Sequence, residues 1–162
     1  MKLNDGVIEC WTANSDYVRI NNRHLHIVNA VGRGELVRHL CGNKRCVNPL
    51  HLLRGSKMEN YEDEEEKRAF IVHLIEPRLN VNRYRNIRST KGIWYSTIIC
   101  LAQEQLEEFN SYEDVMRYGN EMFRKYYIDR LKRDIERGST EDMLKERIAK
   151  CISVAKFYGM EV

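Results

Sequence analysis

No stretch of this sequence approaches the roughly 18 consecutive apolar residues that a membrane-spanning helix requires. The opening MKLNDGVIEC also lacks the apolar core of a signal peptide. These absences argue against a membrane association and lead us to expect a soluble, intracellular protein. Equally missing are an internal repeat, a glycine-rich nucleotide loop, and a serine or cysteine placed as a nucleophile. Five cysteines is an odd count in a chain without a secretory mark, so metal ligation is favoured over a disulfide framework.

Net charge is small, +3 from 27 basic and 24 acidic residues, but it is unevenly laid out. Residues 1–60 carry nine Lys/Arg against five Asp/Glu, and residues 61–76 carry two against six. Residues 77–100 then carry five basic residues and no acidic one. Two basic blocks divided by an acidic run point to two patches able to meet a phosphate backbone. With 162 residues, 31% of them charged and 43% apolar, the chain suits one compact domain with an appendage, or two small domains.

VIECWT, DYVRI and RHLHIV are short β-rich runs parted by Asn, Asp and Ser, which reads as small strands or a meander. ELVRHL is a further strand candidate, and LHLL, after Asn48-Pro49, can pair back against it. Ser56-Lys57-Met58-Glu59 fits a capping box, so a helix is expected from there through Met58, Tyr61 and Glu65 toward Ala69. Pro77 marks a boundary near a linker.

The densest polar chemistry lies in VRHLCGNKRCVNPLHLLRGSKMEN, residues 37–60. Cys41 and Cys46 are five apart and His51 follows five later, around a loop stiffened by Pro49. Structural zinc takes four nitrogen or sulfur ligands in a closed tetrahedron, so one ligand has to come from elsewhere. Cys10 is the choice, because the early strand region can fold beside the loop. The rival reading is two buried cysteines and a surface histidine, but the stretch is too polar to bury itself without a metal. Cys100 and Cys151, set among Ile and Leu, read as core residues.

Cys10-Trp11, followed by HLCGNKRCVNPLHL and then GSKMEN, resembles the HNH nucleases of phages and the related His-Cys box homing endonucleases. Both belong to the ββα-metal, or His-Me finger, superfamily. The likeness covers about residues 8–65. It implies a strand ending in a histidine, a zinc-stiffened loop, a second strand and a helix. Carried across, it makes His39 the general base and Asn60 the ligand of a catalytic Mg²⁺. Cys10, Cys41, Cys46 and His51 become ligands of a structural Zn²⁺, and Asn48 braces the loop through hydrogen bonds to the backbone.

Phosphodiester cleavage suits these parts. A neutral imidazole, with an unperturbed pKa of about 6.5, can take a proton from water at physiological pH. A divalent cation absorbs charge on the transition state and on the departing 3′ oxygen, and Mg²⁺ accepts an amide oxygen with phosphate oxygens and waters. One departure stands out. In many phage HNH enzymes an acid precedes the catalytic histidine, and here that position is Arg38. Arg38 then either contacts the scissile phosphate or is an ordinary surface arginine.

Further on, RYRNIRSTKGIWYSTIICL reads as short strands around a Lys-Gly turn, with Trp94 and Tyr95 able to pack on a sheet. Tyr112, Val115, Met116, Gly119, Phe123, Tyr126 and Tyr127 follow at helical spacing, and a last helix is expected from Thr140. The strand and helix order faintly resembles Apetala-type DNA-binding domains, which implies DNA contacts at Arg83, Arg85, Arg88 and Lys91, beside Arg38 and Arg54 of the first basic block.

The expectation is an α+β protein. A zinc-bound ββα-metal nuclease core over residues 1–76 precedes a sheet-and-helix DNA-binding module with a C-terminal helix over residues 77–162. The implied activity is that of a metal-dependent DNA endonuclease acting on double-stranded DNA, with structural Zn²⁺ and catalytic Mg²⁺, in the cytoplasm of a bacterial or phage-infected host. The rival is a zinc-stabilised DNA-binding protein or regulator that has lost cutting. Monomer and homodimer both remain open. A fragment ending near Glu76 is expected to keep its zinc and weak nicking.

Overall fold

The computed structural model describes residues 5–12, 34–82, 91–138 and 142–157. A single helical turn, α1 (Asp5–Ile8), precedes an antiparallel pair, β1 (Glu35–His39) and β2 (Leu52–Ser56). Four helices follow: α2 (Lys57–Ile75), α3 (Lys91–Gln105), α4 (Tyr112–Glu136) and α5 (Asp142–Phe157). The protein is therefore α+β, with a small sheet and much helix.

The expected strand pair is present. Glu35 stands opposite Ser56, Val37 opposite Arg54, and His39 opposite Leu52. Glu35, Val37, Leu52 and Arg54 share one face of the pair; Val37 and Leu52 are buried on it, while Glu35 and Arg54 are exposed. The second strand starts later than LHLL implied, because Pro49–His51 forms a short 3-10 turn with Asn48 as its N-cap. The capping box forms as read. Ser56 Oγ accepts from the Glu59 amide at 3.1 Å, and Glu59 Oε1 accepts from the Ser56 amide at 3.2 Å. The helix runs past Ala69 to Ile75 and gives way to a 3-10 turn, Glu76–Arg78, because Pro77 has no amide hydrogen for the helical ladder.

Three other expectations need correcting. Within VIECWT, Val7 and Ile8 are helical, and only Thr12 makes a β-bridge, to Cys46. DYVRI and RHLHIV lie outside the described residues, as do Arg83, Arg85 and Arg88. KGIWYSTIIC is not a sheet; it is the body of α3. Its buried residues, Trp94, Tyr95, Ile98, Ile99, Leu101 and Ala102, recur every three to four positions and make one helix face. Strand preference of Ile and Thr is a weak force beside burial of that face. Ser96 and Thr97 fit the helix by bonding back to the carbonyls of Gly92 and Ile93, at 3.1 and 2.8 Å. Cys100, expected in the core, sits on the opposite, exposed face, whereas Cys151 is buried as expected.

Two compact units result, and they do not divide at Pro77. One joins residues 1–61 to 124–162; the other is 62–123. In the first, Val7, Ile8, Trp11, Val37, Leu50 and Leu52 pack with Ile128, Leu131, Leu144, Val154 and Ala155. Residues from the far C-terminal segment thus complete the core around β1 and β2. In the second, Ile71 and Ile75 of α2 pack with Trp94, Ile98 and Ile99 of α3 and with Phe109 and Val115. Phe70 and Phe123 add an edge-on aromatic pair at 5.5 Å.

Candidate metal centre and active site

The loop between the strands is built from turns. Gly42 donates to the His39 carbonyl at 3.0 Å and adopts φ +75°, a conformation that favours glycine. Cys46 donates to the Asn43 carbonyl, and Arg45 to the Asn43 side chain. The segment of residues 5–12 is laced to this loop. The Val47 amide donates to the Trp11 carbonyl at 2.7 Å, and the fully buried Asn48 donates to the carbonyls of both Val7 and Glu9 at 2.7 Å. Asn48 Oδ1 also accepts from the Leu50 amide at 2.9 Å, so its amide is the brace the sequence implied.

This lacing brings Cys10 to the loop. The ligand atoms of Cys10, Cys41, Cys46 and His51 all lie within 4.8 Å of one another. His51 Nδ1 is 3.4 Å from both Cys10 Sγ and Cys46 Sγ. Sulfur and nitrogen donors sharing one tetrahedral zinc stand roughly 3.5 Å apart. The second ring nitrogen decides the tautomer. His51 Nε2 lies 2.6 Å from the Ile8 carbonyl and must donate to it, which leaves the Nδ1 lone pair for a metal.

Ionisation within the cluster points the same way. Hydrogen bonds from Cys41 and then Cys46 drive the Cys10 thiol far below its ordinary range. The same contact pushes Cys41 up to about 12, and burial raises Cys46 well above the normal thiol value. A dication among the three sulfurs would favour the thiolate form of each. The donor set, spacing and tautomer all fit structural zinc.

The far C-terminal segment supports the loop in a way no local pattern announces. Leu50's carbonyl accepts from Tyr127 Oη at 3.1 Å and from Arg147 Nη1 at 3.0 Å. The Tyr127 ring meets His51 edge-on at 5.3 Å, and burial pushes the Tyr127 phenol up to about 12. These partners are 77 and 97 residues from Leu50. The sequence pattern offers only the helical spacing that includes Tyr127 and a last helix from Thr140.

His39 closes β1 beside this cluster. Burial lowers its pKa below the ordinary 6.5, against an opposing hydrogen bond to the Cys46 backbone. Its imidazole is accordingly neutral at physiological pH. Nε2 is buried and has no hydrogen-bond partner, so the bond to Cys46 belongs to Nδ1. A buried polar atom left unpartnered is uncommon and asks for a reason. Asn60 lies in the first turns of α2, four residues past Ser56 and half-buried. Arg38 is neither outward-facing nor surface-free: its Nη1 donates to Glu59 Oε2 at 3.1 Å, with the arginine side chain 11% exposed. Arg54 is exposed on β2, and Lys91 begins α3 rather than a turn between strands.

Over residues 7–90, just over half of its length, the chain matches the zinc-binding loop region of homing endonucleases. It belongs to that family. The matched span contains all four clustered ligands, together with His39 and Asn60. Neither a curated protein nor a solved structure matches the chain.

Proposed function

We propose that this homing-endonuclease family member is a metal-dependent DNA endonuclease, cutting or nicking the phosphodiester backbone of double-stranded DNA. The observation that carries the reading is His39, at the end of β1, with one nitrogen tied to the Cys46 backbone and Nε2 left without a partner. In this reading DNA binding uncovers Nε2, which takes a proton from water as the water oxygen attacks phosphorus. The bond from phosphorus to the 3′ oxygen breaks, and that oxygen leaves with a proton from solvent. Asn60 would hold a divalent cation such as Mg²⁺ through its amide oxygen, and the cation would supply charge neutralisation at the phosphate and the leaving oxygen. Exposed Arg54 and the basic block with Arg83, Arg85, Arg88 and Lys91 grip the DNA backbone.

Supercoiled plasmid incubated with the protein and Mg²⁺ is expected to be relaxed or linearised. His39→Ala should cut about 10²- to 10⁴-fold more slowly while zinc content and DNA affinity hold. Asn60→Ala should keep its fold and need more Mg²⁺. Wild-type-like cutting by the His39 variant would falsify the mechanism. The second reading, a zinc-stabilised DNA-binding protein without cutting, draws on Arg38 standing where many phage enzymes have an acid. Tight DNA binding with an untouched plasmid would favour it.

A further inference from the structure

Arg38 and His39 are neighbours on β1, and Glu59 and Asn60 are neighbours on α2. The Arg38–Glu59 ion pair therefore joins the residue before the proposed base to the residue before the proposed cation ligand. Glu59 is already committed to the start of the helix through its reciprocal bonds with Ser56. Its second carboxylate oxygen takes Arg38. The arginine stem reaches Glu59 by crossing Gly55, where an added Cβ would stand 2.6 Å from Arg38 Cδ and 3.1 Å from Nη1. Gly55 thus clears a channel across the strand pair, and the guanidinium fills it.

Resting on the endonuclease reading above, we infer that Arg38 is a positioning residue, which fixes the first turn of α2, and with it Asn60, relative to His39. The geometry explains an arginine where an acid would otherwise add to cation binding. A carboxylate there would face Glu59 across the channel and repel it, whereas arginine locks the helix start to the strand that carries the base. A cation ligand displaced by a fraction of an ångström costs rate without costing the fold, because catalysis depends on near-attack geometry.

The test compares Arg38→Met, Glu59→Gln and the double variant in plasmid cleavage over a range of Mg²⁺. Glutamine keeps the capping oxygen and removes the charge. Each single variant should cut about 10- to 100-fold more slowly and need more Mg²⁺ for half-maximal rate, the size usual for groups that orient a metal ligand. Zinc content and DNA affinity should stay at wild-type values. The double variant should be no slower than the slower single one, Arg38→Lys should recover part of the rate, and Gly55→Ala should slow cutting by displacing the stem. A readout apart from activity uses a His39→Ala background bound to a DNA duplex, titrated with Mn²⁺. There the Asn60 side-chain amide signal should broaden at higher Mn²⁺ once Arg38→Met is added. If Arg38→Met weakens DNA binding and lowers its salt dependence while Glu59→Gln does neither, Arg38 grips phosphate and the positioning role is wrong. A wild type that cuts, with Arg38→Met cutting as fast, overturns the positioning role alone. A wild type that never cuts overturns the endonuclease reading and this role with it.

Discussion

The unit of residues 1–61 and 124–162 buries polar chemistry, and the unit of residues 62–123 buries oil. Asn48 and His51, the fully buried polar side chains among the described residues, both lie in the first, beside Cys41 and Cys46. The second closes over Ile71, Ile75, Trp94, Ile98 and Ile99. A short loop with few apolar residues cannot offset its own ordering entropy, so it borrows stability from a metal and from backbone clamps. A helical unit with one wide apolar face per helix needs neither.

Stripping zinc is the strongest way to break this contrast. Structural zinc contributes on the order of 10 kcal/mol of folding free energy in small sites. The chain has two tryptophans, Trp11 in the first unit and Trp94 in the second, each nearly buried. A strong chelator, or Cys46→Ser, should therefore red-shift the emission of a Trp94→Phe variant, which reports Trp11. It should leave a Trp11→Phe variant, which reports Trp94, near its folded spectrum. If both tryptophans respond together, the two units fold as one, and the contrast is a description of composition only. Folded, carefully purified protein without zinc would remove the staple altogether.

A smaller pair of changes should separate the units by the nature of what is lost. Asn48→Ala strands the carbonyls of Val7 and Glu9 and the Leu50 amide, at about 1–3 kcal/mol for each buried group left unpaired. It should lower the unfolding midpoint read at Trp11 and loosen zinc. Ile98→Ala opens a cavity in the second unit at about 2–5 kcal/mol and should move only the transition read at Trp94. Equal effects of both variants on both tryptophans would again deny the division.

The same contrast explains what the sequence revealed. The zinc loop was legible because its ligands are chemically rare residues at tight spacing, and because Pro49, Asn48 and the Ser56–Glu59 box each have one dominant local use. Cys10 could be placed only by supposing that the early segment folds beside the loop, and the Asn48 and Val47 bonds are what bring it there. The helix α3 was misread because Ile, Thr, Trp and Tyr favour strands locally, while the burial that makes them helical involves α2 and the segment after α3. The supports from Tyr127 and Arg147 carry no sequence mark, since any donor on a suitably placed helix would do. A fragment ending near Glu76 would lack these supports, and Ile128, Leu131, Leu144, Val154 and Ala155 from its core.

The smallest effect should come from the cysteine that the contrast moves to the surface. In zinc-loaded protein Cys10, Cys41 and Cys46 are held by the metal, and Cys151 is buried, its thiol pushed up to about 11 chiefly by burial. Cys100 is exposed on α3. A thiol reagent at neutral pH should therefore label Cys100 quickly and Cys151 only on unfolding, because the reactive species is the thiolate and it must be reachable. Cys100→Ser should change stability by less than about 0.5 kcal/mol, as for other exposed positions without a packing role. Peptide mapping of the labelled protein checks the assignment. Fast labelling at Cys151, with Cys100 protected, would mean that α3 turns its other face to solvent, and the apolar packing attributed to the second unit would have to be rebuilt.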